Sequence, residues 1–477
     1  MNKTFNIYAW TAVFTVMIIV NIVTLSNAYG LLLTLFQFLM VIYYLVKGDL
    51  RRSVLLHFSF IALSLSAEGT LGMFEDSSFA LFNYGTIKLI GPVRGCYMMN
   101  IIYMMFLCNQ KYGMNKGLLF YKLFKTLLYL GVSAFVIGGL GVIFNSYYSF
   151  EALTGKAIYM FVVLSTCYIL LKLANEQFIR QAYYLGLTAV LSGIIGSFIC
   201  NEVFGVVSHY SVFDIAYRAD IVGIGAPAII IGIIYIKQKL LAFTALALYG
   251  YILLSAFSGK SFFALCFAVM ALLYIVWFDK KQKNIVGQYK LMLGIVVVVA
   301  IAIVVCLAMQ ELTPDSFAMY KIQSALSVFS GDYDDMSASP YIRFASLLNI
   351  LYEGLQNPLT LLFGNGYGGY FEDKLRLFSG LDLSKGAWTD EVISTGRFTS
   401  GHDTIVTVPL FNGLIGLGLL IKIGWLYIKR IPNNYMCSIA VFWFILKFYF
   451  NTLFAFMGPF LLIGAEYNIL SDNKSTN

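Results

Sequence analysis

The chain is patterned by long apolar runs rather than by alternation of polar and apolar positions. A helix needs roughly 20 apolar residues to cross a hydrocarbon core of about 30 Å. Such runs recur near 7–25, 29–46, 53–70, 89–108, 124–145, 157–172, 182–200, 221–236, 240–257, 261–278, 291–309, 403–421 and 437–451, with a shorter one near 453–469. Unpaired backbone groups are costly in lipid, and barrel strands would alternate over about ten residues, so these runs predict helices. The expected fold class is an all-α polytopic membrane protein with about 13–14 transmembrane helices.

One interval breaks this rhythm. Residues 310–401 are rich in Gly, Asp, Tyr and Arg and separate two apolar runs, dividing the chain into helices over 1–309, a large loop over 310–401 and final helices over 402–477. A loop of that length in a compact protein is usually functional or carries structure of its own. Within it, 316–329 predicts a short surface helix and 340–356 a second one, starting at Pro340 and stopping before Asn357-Pro358. Glycines follow at 364, 366, 368 and 369, where bare backbone can approach a ligand closely. No internal repeat of fixed period accompanies them.

Composition agrees with the pattern. The chain is 60% hydrophobic and 12% charged, against about 45–50% and 25% in soluble domains. The net charge of +8 would point to nucleic acid in a soluble protein. Here it reports topology. With the N-terminus inside, the inner segments collect 20 Lys and Arg against four acids, giving +16, and leave −8 for the spans and outer loops. Basic residues on short inner loops are the positive-inside signature, and nucleic acid is not an expected partner. Lys3 and the small residues Ser26-Asn27-Ala28 resemble a signal peptide, but the intervening stretch is long for a signal core and predicts an uncleaved first helix. The seven cysteines have no metal-ligand or redox spacing and read as residues of the spans.

Soluble catalytic signatures are absent: there is no nucleophile elbow, no zinc-binding HExxH and no complete phosphate loop around Gly259-Lys260-Ser261. Asp332, Asp334 and Asp335 lack EF-hand spacing and read as a wet turn. What remains is a set of charges expected near one membrane surface: Arg218, Lys260, Arg343, Arg397, His402 and Asp403. Arg343 and Gly354 are 11 residues apart, which puts them on one helix face about 16 Å apart. They either line a groove for an elongated anionic substrate, since guanidinium suits phosphate, or Arg343 is a surface residue paired with Glu353 or a loop acid. His402 is either a general base beside Asp403 or a structural residue, and Lys260 is either an anion ligand or an interfacial cap. His57 and His209 read as structural. Tyr320, Tyr341, Tyr367 and Tyr370 are candidate sugar platforms, with interfacial packing as the alternative. Arg94, Lys447, Glu68 and Glu466 are the charges that fall inside apolar runs.

Three local features carry a resemblance: Ser258-Gly259-Lys260-Ser261 at a span boundary; the Arg343 to Gly354 spacing followed by Gly364-Asn365-Gly366-Tyr367-Gly368; and Gly401-His402-Asp403 leading into a helix with Gly413, Gly416 and Gly418. In this order around a large loop, over roughly 240–430, the chain resembles the bacterial O-antigen and capsule repeat-unit polymerases, which are similar to the O-antigen ligases. Arg218 departs from the pattern, because the glycines after it do not keep the ten-residue gap. The resemblance implies a GT-C-like, metal-independent glycosyltransferase of the inner membrane, with a cytoplasmic N-terminus, a periplasmic loop and no cofactor. It implies an undecaprenyl-diphosphate-linked oligosaccharide as substrate, the lipid bilayer as surroundings and a chain-length regulator as a candidate partner. His402, Arg343 and Asp403 would be catalytic, while Arg218, Lys260, Gly354, Arg397, Tyr341, Asn365 and Tyr367 would bind diphosphate or sugar. A ligase acting on lipid A core and an exporter of the same glycolipid are the alternatives.

Overall fold

A computed structural model describes residues 6–23, 28–63, 84–85, 87–90, 93–109, 113–114, 116–203, 338–379, 383, 388, 390–401, 404–430, 458–460, 462–464 and 466–467. These residues are mostly helical. Among the described residues the first part holds seven helices: α1 (Ile7–Val23), α2 (Ala28–Val46), α3 (Leu50–Ala62), α4 (Gly95–Asn109), α5 (Leu119–Phe144), α6 (Phe150–Leu173) and α7 (Glu176–Glu202). A small hairpin of β1 (Lys88–Ile90) and β2 (Val93–Arg94) precedes α4. Later come α8 (Ala338–Gln356), α9 (Pro358–Phe363), β3 (Phe371–Glu372), α10 (Asp390–Thr395), β4 (Arg397–Phe398) and α11 (Thr404–Arg430).

Among the described residues, α5, α6 and α11 are long and apolar enough to cross a membrane. The runs predicted at 7–25, 29–46, 124–145, 157–172, 182–200 and 403–421 all coincide with helices, as does the loop helix predicted at 340–356. The run at 89–108 needs correction. Its first residues form the hairpin, and helix begins only at Gly95, leaving 15 residues. The sequence of that stretch includes Pro92, whose missing N–H is incompatible with a continuous helical ladder. The runs within 221–309, the one at 437–451 and the loop helix at 316–329 lie outside the described residues.

Local chemistry accounts for several helix ends. Asp49, Ser149 and Asn175 each accept a backbone N–H three residues on, capping α3, α6 and α7. Asn357 and Pro358 stop α8 as expected, but the chain restarts at once. Asn357 caps α9, and proline occupies its first turn, where no N–H is required. The N-terminus of α5 is capped from far away: the Glu466 carboxylate accepts the N–H groups of Leu119 and Phe120, the latter at 2.8 Å. Glu466 is therefore engaged at a helix end, and Arg94 lies in the hairpin, donating to the Gly85 carbonyl. Neither is a charge stranded inside a span.

A buried polar cluster ties α3, α4 and α6 together. Asn100 donates to Ser165 and Thr166, so its carbonyl faces His57 Nε2 at 3.0 Å, and that nitrogen must donate. Nδ1 is then the acceptor for Tyr84, 2.7 Å away. Both ring nitrogens are bonded in a neutral tautomer, which agrees with a structural role for His57.

Candidate functional site

The glycine turn at 364–368 meets α5 and α11 at a break in α11. Pro409 lacks an N–H, and Gly413 is non-helical at φ 61° and ψ −163°, so the helical ladder is interrupted there. Two carbonyls at the break are taken by the glycine turn: Asn365 N–H donates to Leu410 O at 2.7 Å and Gly366 N–H to Phe411 O at 3.1 Å. The next residue, Tyr367, donates to Ala134 O of α5 at 2.8 Å. Backbone contact this close requires glycine on both sides. A Cβ on Gly138 would sit 1.9 Å from Tyr367 O, and one on Gly366, at φ +72°, 2.2 Å from Gly138 N.

Asn412, the residue before Gly413, donates its side-chain amide to Leu130 O and Ser133 Oγ, while its side-chain Oδ1 is buried without a partner. Leu130 meets Gly416 while Gly138 meets the turn beside Phe411, so α5 and α11 run antiparallel. Lys122, Lys125, Lys429 and Arg430 consequently share one end of the bundle with Lys172, in the last turn of α6. The opposite end carries the Asn145–Ser149 turn.

On that turn sits the one cluster of predicted site residues that the fold assembles among the described residues. β3 pairs with β4 in the register Phe371↔Phe398 and Glu372↔Arg397. Phe371, Phe378, Trp388 and Phe398 form an aromatic core beneath the ladder, with ring centroids 4.5–6.4 Å apart. Arg397 lies over Tyr147 at 3.7 Å from the ring centroid and 5.6 Å from that of Tyr370. Glu372 is its ion-pair partner at 3.8 Å. Tyr148 meets Tyr370 edge-on, and Ser149 N–H donates to Gly368 O. Burial, and then the nearby Tyr370, pushes the Tyr148 phenol above its ordinary range, so it keeps its proton at neutral pH. Asn365 spends its amide on Tyr370 O at 2.9 Å, holding the turn in shape.

Arg343, Tyr341 and Gly354 lie on α8, as the spacing predicts, but two expectations are corrected. Gly354 is buried, and a Cβ there would meet Leu361 of α9 at 2.8 Å, so its bare backbone accommodates a helix neighbour rather than a ligand. Tyr367 is 0% exposed, edge-on to Phe411, and presents no platform. Tyr341 packs half-buried on the core. Glu353, the other proposed partner of Arg343, accepts Glu372 N–H at 2.9 Å and lies 3.7 Å from Lys374. Burial raises its pKa above the usual glutamate value, against the opposing pull of the Glu372 N–H and Lys374. His402, Asp403, Arg218, Lys260, Tyr320, His209, Lys447, Glu68 and the acids at 332–335 lie outside the described residues.

Tyr147 and Glu372 were not among the residues singled out from sequence. The available signal was an interfacial Tyr-Tyr pair in a short loop, and nothing local links it to a strand more than 200 residues later. No protein family model, curated protein or solved structure matches this chain.

Proposed function

We propose that the chain is a membrane glycosyltransferase that polymerises undecaprenyl-diphosphate-linked oligosaccharide repeats on the outer leaflet of a bacterial inner membrane, building O-antigen or capsular polysaccharide. The observation that carries the reading is the seating of the long loop. Its glycine turn completes the broken α11, and its arginine-bearing strand pair covers the end of the bundle opposite Lys122, Lys125, Lys429 and Arg430. The positive-inside rule makes that basic end cytoplasmic, which leaves the loop facing the periplasm, where lipid-linked repeats are joined.

In the proposed reaction a hydroxyl of the incoming repeat attacks the anomeric carbon of the growing chain. The bond from that carbon to the lipid diphosphate breaks, and the hydroxyl proton passes to a base. Arg343, with Arg218 and Lys260, offsets the charge gained by the departing diphosphate. His402, oriented by Asp403, takes the proton. No metal is needed in this scheme.

A kinked span is also a feature of transporters, where freed carbonyls coordinate ions. Here the Leu410 and Phe411 carbonyls are occupied by loop N–H groups, which favours a fixed surface over an ion path.

Deletion of the gene separates the readings. Loss of a polymerase leaves core bearing one repeat, loss of a ligase leaves bare core with polymer still on the carrier, and loss of an exporter traps repeats inside. Arg343→Ala and His402→Ala are each expected to abolish chain extension in a protein that still inserts. Polymer of normal length from either variant would sink the assignment.

A further inference from the structure

We infer that Arg397, Glu372, Tyr147 and Tyr370 form a subsite for the uncharged sugar part of the substrate, rather than for its diphosphate. This rests on the glycan-polymerising reading only in taking a glycan as the ligand.

The first ground is unused hydrogen-bonding capacity. The Arg397 guanidinium has a ring on one side, and its buried Nε lies 3.8 Å from the Glu372 carboxylate, beyond hydrogen-bond reach, so the pair does not satisfy itself. Both side chains reach solvent, Arg397 being 32% and Glu372 42% exposed. A planar fork of donors therefore stands beside a pair of acceptors. Each hydroxyl of a sugar donates once and accepts twice. Two neighbouring ring hydroxyls can take N–H groups from Arg397 and give O–H to Glu372, while the C–H face of the ring lies against tyrosine.

The second ground is charge. Arg397, Lys374 and Arg376 are matched by Glu353, Glu372 and Asp373 along the strand pair, its turn and the facing α8 residue. A diphosphate carries at least two negative charges and needs a surplus of cations, and this cluster has none. The third ground is rigidity. The aromatic core under β3 and β4, and the Ser149 to Gly368 hydrogen bond, fix the backbone that carries the four side chains before any ligand arrives, which reduces the ordering cost of binding. Arg343 lies ten residues before Glu353 along α8, about 15 Å away at helical rise. An extended substrate can thus present its diphosphate and its sugars to different residues.

The test uses the full-length protein in lipid nanodiscs, probed with an array of neutral and acidic oligosaccharides and separately with inorganic pyrophosphate. Neutral oligosaccharides should bind, and Arg397→Ala or Tyr147→Ala should weaken that binding at least tenfold. Arg397→Lys, which keeps the charge but loses the fork, should weaken it similarly. Glu372→Gln gives the decisive sign and, as a near-isosteric change at a partly exposed position, does not depend on how Arg397→Ala folds. It should weaken glycan binding, because a charged acceptor is lost. If the site held diphosphate, the same change would tighten pyrophosphate binding by removing a repelling charge. Tighter pyrophosphate binding in Glu372→Gln, or an array with no neutral glycan sensitive to Arg397 and Glu372, would overturn the inference. Normal polymer with Arg343→Ala would refute the polymerase reading while leaving an Arg397-dependent glycan signal intact, so the two failures are distinguishable.

Discussion

A methyl group on Gly138 would lie 1.9 Å from the carbonyl oxygen of Tyr367, so this single residue decides whether the loop can dock. Gly138→Ala is expected to destabilise the protein by about 1–3 kcal/mol through overpacking. It should also expose the 364–369 turn, seen as a lower melting temperature and new proteolytic cleavage there. Gly139→Ala is the control, because nothing lies within 4 Å of a Cβ at that position. The glycines at 364–369 were legible in the sequence as a place of close backbone approach. What they approach was not legible, since the partner is the protein's own helix 230 residues away in sequence. Tyr367 illustrates the same limit: tyrosine suits both an open sugar platform and a buried edge-on contact, and only the neighbouring Phe411 selects the second.

Helix ends and breaks are set partly by neighbours in sequence and partly by distant ones. The run at 403–421 reads as one continuous helix in sequence, yet α11 carries Pro409 and breaks at Gly413, a departure tolerated because Asn365 and Gly366 occupy the Leu410 and Phe411 carbonyls. In a bilayer each such group left bare would cost several kcal/mol. The start of α5 makes the complementary case. Leu118 offers no side-chain cap, and the Glu466 carboxylate supplies one from the other end of the chain. Glu466→Ala should leave two N–H groups without that acceptor, at a cost of about 1–3 kcal/mol. Thermal unfolding in detergent checks this, and Glu466→Gln should recover part of the loss by keeping one oxygen. An unchanged melting temperature in Glu466→Ala would mean the cap is not used.

At the scale of the whole molecule, the separation of charge is a topological statement. Lys122, Lys125, Lys172, Lys429 and Arg430 gather at one end of α5, α6 and α11, and the tyrosine-rich turn with the loop gathers at the other. Single cysteines introduced into a cysteine-free background test the proposed orientation. Tyr147→Cys should react with a membrane-impermeant maleimide added to intact cells freed of their outer membrane barrier, and Lys429→Cys only after lysis. The reverse pattern would invert the topology and remove the periplasmic reading of the loop. The His57, Asn100 and Ser165 cluster belongs to this scale too, because it joins three helices through groups that are separately ordinary in sequence.

From sequence alone it follows that the chain is apolar and, over the described residues, mostly helical, because those properties depend on the local density of apolar residues; the positions of Lys and Arg add the sidedness that the proposed orientation uses. It also follows that α8 exists within the long loop and stops at Asn357, because caps and proline act on their immediate neighbours. Only the tertiary structure decided that the glycine turn plugs a broken helix, that Gly354 faces Leu361, and that Arg397 rests on Tyr147. Those contacts join residues far apart in the chain, and no local pattern encodes which surface a bare backbone or a guanidinium will meet.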